Sequence, residues 1–307
     1  MTEERARELE LEEELVHRAV KSKEVERWRL AWTGRAMFYP YHMRGGDSSP
    51  AFTIDLSEIE DEELARAVRR AGLADALDFD KLIDRREEEI ARRKGVNQST
   101  VGELLKHRVA LGLVAYPKAA AYLVRHYERL EGRVFEKKRF TQMGKRWYEF
   151  HRPRDPKLML AKTRIVSPTL MKHLRFSLDT SGYLSDHACL YLQPTKTTNR
   201  DYRRLHDQLA AAMGKRASLE DVLKYCLAFL NSDYAQHRFV TGRRPTPKGS
   251  YAMSEAVLRE IPIAPPDART AMKILDLVTQ LTKATTETET KNLEKKLTQI
   301  TSALLAA

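Results

Sequence analysis

Cysteine is scarce in this 307-residue chain: Cys189 and Cys226 are the only two, and they form no CxxC pair. A disulfide framework and a cysteine-based zinc cluster are thereby excluded, and two buried, reduced thiols fit a cytoplasmic protein. Long apolar runs are lacking too. No stretch approaches the ~18 residues that a membrane span requires, so no membrane association is expected. The acidic start MTEERARELELEEEL has neither the basic nor the apolar part of a secretory signal. With 42% hydrophobic and 32% charged residues, the chain reads as folded, and its length accommodates about two domains.

Catalytic motifs are missing in the same way. A methyltransferase using S-adenosylmethionine on a flipped base needs a Gly-rich strand-to-helix turn and an Asn/Asp-Pro-Pro-aromatic loop. The only Pro-Pro pair here is Pro265-Pro266, between Ala264 and Asp267. In GRRPTPKGS, Lys248 precedes Gly249, the reverse of the order in a phosphate-binding loop. The nine histidines show no HxxxH spacing, and no GxSxG elbow is present. Glu149, Asp155 and Lys157 make the one acidic group near a lysine that could suggest a nuclease, but their surroundings are so basic that they read as ion-pair partners. No metal, no cofactor and no catalytic residue are therefore expected on this chain.

Positive charge, by contrast, is in excess: 54 Lys and Arg against 43 Asp and Glu give a net +11. It is not spread evenly. Residues 1–15 are net −5, whereas Arg133 to Arg175 holds thirteen Lys and Arg against three acids. The stretch TKTTNRDYRRLHDQLAAAMGKR has six against two, and HRFVTGRRPTPKGS has four and no acid. Phe140, Trp147, Tyr148, Tyr202 and Tyr234 lie among these clusters. Phosphate neutralisation needs many cations on one surface, and aromatic rings stack on bases, so the pattern points to nucleic acid.

The apolar periodicities suggest the elements. Glu3 to Val20 reads as a helix, with leucines at 9, 11 and 15. Trp28, Leu30 and Trp32 then alternate with Arg27, Arg29 and Ala31 as in a strand, which with Ala36 to Tyr41 makes a hairpin ended by MRGGDSSP. Trp28, Trp32, Phe38 and Tyr39 are assigned to the core. From about 56 to 133 the pattern is helical. Strand signals return in RWYEF, TRIVSP, RFSLDTSGYLSD and HACLYLQP, with DTSGY as a hairpin turn. Ser218 and Asp221 form a capping box at the start of SLEDVLKYCLAFLNSDYAQHRFV, where Asn231 and Ser232 read as a helix C-terminal turn. Last come Ile274, Leu275, Leu277, Val278 and Leu281, then Leu293, Leu297, Ile300 and Leu304, at the spacing of a helical pair broken near ATTETET.

Several segments, in order, resemble the TaqI-like C-terminal specificity domain of adenine-N6 DNA methyltransferases, the family that includes type IIG restriction-modification enzymes and the methyltransferase of BREX phage defence. They are LEEELVHRAVKSKEVERW with GRAMFYPY, YPKAAAYLVRHYERLEGR, RWYEFHRPRDPKLMLAKTRIVSP, RFSLDTSGYLSDHACLYLQP, YCLAFLNSDY and LREIPIAPP before the terminal helices. Residues 50–110 are unmatched. The resemblance implies an α+β fold: a β-rich target-recognition domain over 1–215 with a helical insertion at about 56–133, a helix and loop over 216–266 completing it, and a C-terminal helical pair over 267–307. In that family the catalytic domain precedes this one, so the resemblance implies a specificity subunit, or part of a longer enzyme, that reads double-stranded DNA. S-adenosylmethionine would sit on a methyltransferase catalytic partner.

The DNA contacts expected are Arg139, Lys145, Arg146, Trp147, Tyr148, Arg152, Arg154, Lys162, Arg164, Lys172, Arg200, Arg203, Arg243, Arg244 and Lys248. The family pattern carries over most directly to Arg146, Trp147, Tyr148 and Arg152. Arginine can take guanine O6 and N7 together while lysines hold phosphates, although Trp147 and Tyr148 could equally pack at strand ends. Lys162 and Arg164 are expected to share one strand face, toward DNA or solvent. Leu293, Leu297, Ile300 and Leu304 are expected to dock the catalytic partner, with capping of the domain core as the alternative. A stand-alone DNA-binding regulator, using a helix in QSTVGELLKH, is the second functional reading, and a metal-dependent nuclease the third.

Overall fold

The structure, a computed structural model, describes residues 1–39, 41–44, 47–50, 119, 122, 126, 129–130, 132–143, 150, 159, 161–185, 188–194 and 200–306, with backbone only for 41–44, 47–50 and 141. It is mixed α+β, as expected, and divides into two compact units: Met1–His17 with Ala36–Pro156, and Arg18–Arg35 with Lys157–Ala307. The helical insertion expected over 56–133 lies almost wholly outside the described residues.

In the first unit, helix α1 (Glu3–Glu8) starts where the Thr2 hydroxyl accepts from the Arg5 amide at 3.1 Å. It stops after one and a half turns because Glu10 adopts a left-handed φ of 51°. The expected helix over Glu3 to Val20 is thus wrong beyond Glu8: Val16–Val20 is strand β1, and its residues continue into the second unit. Strand β2 (Ala36–Phe38) follows, then β3 (Tyr41–Arg44) and β4 (Asp47–Pro50), which pair antiparallel with Arg44 opposite Asp47. MRGGDSSP therefore builds a hairpin of its own instead of ending one. A second small hairpin joins β5 (Val134–Phe135) to β6 (Lys138–Arg139), turning at Glu136 and Lys137, both left-handed as a two-residue hairpin turn requires. Leu11, Leu15, Tyr39 and Phe140 are buried, and the Tyr39 ring meets His17 edge-on at 6.0 Å.

In the second unit the central strand is β7 (Arg164–Pro168), every residue of which is buried. Next come β8 (Leu170–Met171), β9 (Ser177–Asp179), β10 (Leu184–Ser185) and β11 (Cys189–Leu192). Strand β7 pairs antiparallel with both β11 and β9, while Leu184 and Ser185 of β10 pair in parallel with Ala19 and Val20. The DTSGY turn exists, but its flanking strands join different sheets, so it closes no hairpin. The expected strand at Trp28 is absent as well: Trp28 has φ 81° and a single bridge to Ser177. Tertiary hydrogen bonds override the local alternation there. The Ser177 hydroxyl donates to the carbonyls of Glu26 and Arg29, Arg29 donates to Ala284 O at 2.7 Å, and the Trp28 indole donates to Glu294 at 2.6 Å.

Six helices follow over the described residues 200–306: α2 (Arg200–Met213), α3 (Leu219–Leu230), α4 (Asp233–Val240), α5 (Glu255–Arg259), α6 (Ala271–Lys283) and α7 (Glu287–Ala306), with strand β12 (Tyr251–Ala252) between α4 and α5. The expected capping box opens α3, with Ser218 and Asp221 exchanging bonds of 2.9 and 3.1 Å. Asn231 does end that helix, and its amide also clamps Phe176, accepting from the backbone N at 3.0 Å and donating to the O at 2.9 Å. The Ser232 hydroxyl caps α4. One core contains Ile165 and Phe176 of the sheet region, Val222, Leu227 and Phe229 of α3, Ile274 and Val278 of α6, and Leu293 and Leu297 of α7. Residues 157–215, 216–266 and 267–307 therefore share this core.

Candidate nucleic-acid interface

The expected DNA contacts separate into four groups. Lys145, Arg146, Trp147, Tyr148, Arg152 and Arg154 lie outside the described residues, as do Glu149, Asp155 and Lys157. Arg139 is exposed on β6, its backbone amide donating to Gln142 at 2.9 Å. Arg200 and Arg203 are exposed on α2, whose other face turns Leu209 into the core. The remaining cations, all in the second unit, fall on opposite sides of a burial boundary.

Arg164 is on the wrong side of that boundary for DNA, which corrects the expectation. Its side chain has no exposed surface, and neither has that of Asp179, to which its Nε donates at 3.1 Å. Nη1 donates to Met159 O at 2.8 Å, Nη2 donates to Tyr183 O, and the guanidinium lies 3.7 Å from the centre of the Tyr191 ring. Asp179 in turn accepts from the backbone amides of Ser181, Gly182 and Tyr183, each at 2.9 Å. Burial pushes the Asp179 carboxyl upward, against the pull of the Arg164 charge and these amides. The network is a satisfied structural ion pair. Lys162 precedes β7 in a bend and is exposed, so the two residues do not share a strand face.

On the other side, β8 and β12 pair with Tyr251 opposite Met171 and Ala252 opposite Leu170. The pairing sets Lys172, just past β8, beside the 246–250 turn: its Cε is 3.7 Å from the point a Cβ on Gly249 would occupy. That turn is stiff. Thr246 N donates to Ser250 O at 2.7 Å, Gly249 N to Thr246 O at 2.8 Å and Ser250 N to the Thr246 hydroxyl at 3.1 Å, with Pro245 and Pro247 fixing φ. Gly249 takes φ 75°, a conformation that a side chain would strain. Lys172, Arg244 and Lys248 are exposed, and among the described residues no carboxylate pairs with any of them. Arg243 differs: it is half-buried and holds Glu260 at 2.7 Å. Arg238, in the last turn of α4, is exposed and leads into the same segment.

The expected docking stripe is corrected too. Leu293 and Leu297 are buried in the core of their own unit, and Ile300 and Leu304 pack half-buried against it. The core of the chain's own helices takes up Leu293 and Leu297, so this part of the stripe caps its own unit, while Ile300 and Leu304 stay partly exposed.

An apolar-walled cleft of about 630 Å³ opens beside α2 and α3, with Leu192, Val222, Leu258 and Ile263 in its lining and Arg204 at its edge. Cys226 also lines it, but burial pushes this thiol up to about 12, so it stays protonated and is a poor nucleophile. Among the described residues, no group of three or more His, Cys, Asp or Glu could hold a metal, and no helix is long and apolar enough to cross a membrane.

No family model matches the sequence. The chain is 26% identical over 180 residues to the type II methyltransferase M.BanIII of Aneurinibacillus aneurinilyticus. The aligned stretch covers 56% of this chain and 29% of that protein, so the chain spans less than a third of its relative's length. The likeness is to a methyltransferase, at low identity.

Proposed function

We propose that this chain reads DNA for an adenine-N6 DNA methyltransferase of a restriction-modification or phage-defence system, and that it is not catalytic by itself. A single observation carries the reading: the β8–β12 pairing sets the exposed Lys172 beside the 246–250 turn that carries the exposed Lys248, two basic clusters far apart in sequence, and among the described residues no acid pairs with either of them or with the exposed Arg244 that leads into the turn. Exposed cations without an acidic partner suit phosphates, because each phosphate neutralised releases condensed counterions. The likeness to a type II methyltransferase supports the pairing of this surface with a methyl-transfer partner. The missing Asn/Asp-Pro-Pro-aromatic loop supports placing S-adenosylmethionine and the chemistry on that partner.

The test is a pull-down of the tagged chain from its native cells, with mass spectrometry of the co-purifying proteins and an assay for S-adenosylmethionine-dependent methylation of DNA. The expected result is a methyltransferase partner whose site-specific activity disappears without this chain. A chain that comes down alone, yet binds duplex DNA with steep salt dependence, would move the assignment to a stand-alone regulator.

A further inference from the structure

One residue of the ribbon is not basic, and its placement is unusual. Leu170 is 52% exposed, while its neighbour Met171 is 2% exposed and belongs to the core. Leu170 on the strand and Lys172 in the bend just past it flank the buried Met171, and both are exposed. The residue opposite is Ala252, itself exposed and too small to cover a leucine. The backbone that presents Leu170 is held on both sides: Thr169 N donates to Ala188 O and Met253 N to Thr169 O, each at 2.8 Å, and the Met253 side chain is buried in the core.

A lone exposed leucine needs no explanation by itself. Here it stands on backbone held on both sides, next to the exposed Lys172 that reaches the Lys248 turn, and this decides what would cover it. A protein partner's apolar patch is ordinarily rimmed by both signs of charge, whereas a duplex offers a groove of base edges between two rows of phosphates. A two-stranded β-ribbon is narrow enough to enter the major groove, and leucine is among the apolar side chains that proteins press against or between bases.

We infer that the β8–β12 ribbon enters a groove of duplex DNA and presses Leu170 against base edges, while Lys172, Arg244 and Lys248 hold the flanking phosphates. The inference rests on the DNA-reading function proposed above and adds to it an apolar contact that carries no charge. Such a contact leaves a signature that phosphate contacts do not: it contributes to affinity without contributing to the salt dependence.

The test compares the full-length chain with Leu170→Ala, Leu170→Thr, Lys172→Ala, Arg244→Ala and Lys248→Ala. Each is titrated at several salt concentrations against an end-labelled duplex of randomised sequence and against poly-glutamate, with a thermal melt as a folding control. Threonine keeps the strand preference of the site, so a weaker Leu170→Thr cannot be ascribed to loss of the ribbon. The expected result is a roughly three- to tenfold loss of duplex affinity for both Leu170 variants, at unchanged melting temperature and salt slope. Each cation variant should reduce the slope by about one. Leu170 variants that bind as the parent does, beside cation variants that flatten the slope, would overturn the apolar contact and leave the DNA reading standing. Equal losses on poly-glutamate would reduce the surface to a general anion face and overturn the inference. If the parent chain fails to bind duplex at all, the DNA-reading function fails first, and this inference falls with it.

Discussion

Arg164 opens β7 and Lys172 lies just past β8, both in the same basic stretch, yet one is sealed in the core and the other stands in solvent. What separates them is the acid each can meet. Asp179 lies on β9, directly across from Arg164 in the antiparallel register, and the DTSGY turn that follows supplies three amides to the same carboxylate. Lys172 leads away from the sheet toward a turn that holds Lys248 and no acid. A count of charges along the chain treats the two alike. The register of a sheet does not, because it decides which charge is compensated inside the protein and which remains for an external anion.

Breaking the buried side of this contrast should give the largest effect. Asp179→Ala leaves a guanidinium without its carboxylate in a fully buried site, and should cost about 3–5 kcal/mol, read from denaturant unfolding. Replacing both partners by apolar residues, Arg164→Met with Asp179→Leu, should recover much of that loss, since neither charge is then stranded. A single Asp179→Ala that costs less than about 1 kcal/mol would mean that water reaches the pair, and the contrast with Lys172 would lose its basis.

Next in size is Leu297→Ala. If α7 caps the core, the truncation opens a cavity and should cost about 2–4 kcal/mol whether or not any partner is present. A stability unchanged in the isolated chain, with loss of a co-purifying partner, would restore the docking role that the burial of Leu297 removes.

Acid should expose a smaller effect at Glu24. Burial pushes this carboxyl up, but the Thr33 hydroxyl, the Lys21 amide and the Arg35 charge outweigh burial and hold it below its ordinary 4.5. A depressed folded value means that the unfolded chain binds the proton first. The stability Glu24 contributes is therefore complete above about 4.5 and is lost as pH falls through the lower folded value. Melting temperatures measured across this range should fall less steeply for Glu24→Gln than for the parent; equal slopes would show that other carboxylates govern the acid response.

How much of this was legible in the sequence depended on the range of the interaction. The capping box of α3 and the apolar spacings of α6 and α7 lie within a few residues, and both mark helices that the structure contains. Strand β1 was hidden because its parallel partners are Leu184 and Ser185, whereas its own flanks carry helix-like leucines. The conformation at Trp28 is not legible locally because its partners, Phe176 and Glu294, are distant in sequence. Of the candidate interface, the cations of the 243–248 segment are visible from charge alone. The ribbon is not, since two-residue strands have no period to detect.

The smallest change in stability is expected where the change in binding is clearest. Lys172→Ala, Arg244→Ala and Lys248→Ala remove exposed cations with no carboxylate partner among the described residues, so each should alter unfolding free energy by no more than about 0.5 kcal/mol. Each should nonetheless lower the salt slope of duplex binding by about 0.9 if it neutralises one phosphate. Arg243→Ala gives the internal control: Arg243 already holds Glu260, so its loss should show mainly as a modest stability change and leave the slope nearly untouched. Four neighbouring cations would then sort by partner, not by sequence position, which is the distinction first drawn between Arg164 and Lys172. If Arg243→Ala instead flattens the slope as strongly as Arg244→Ala, the ion pair opens on binding, and an internal carboxylate does not reserve a cation from DNA on this surface.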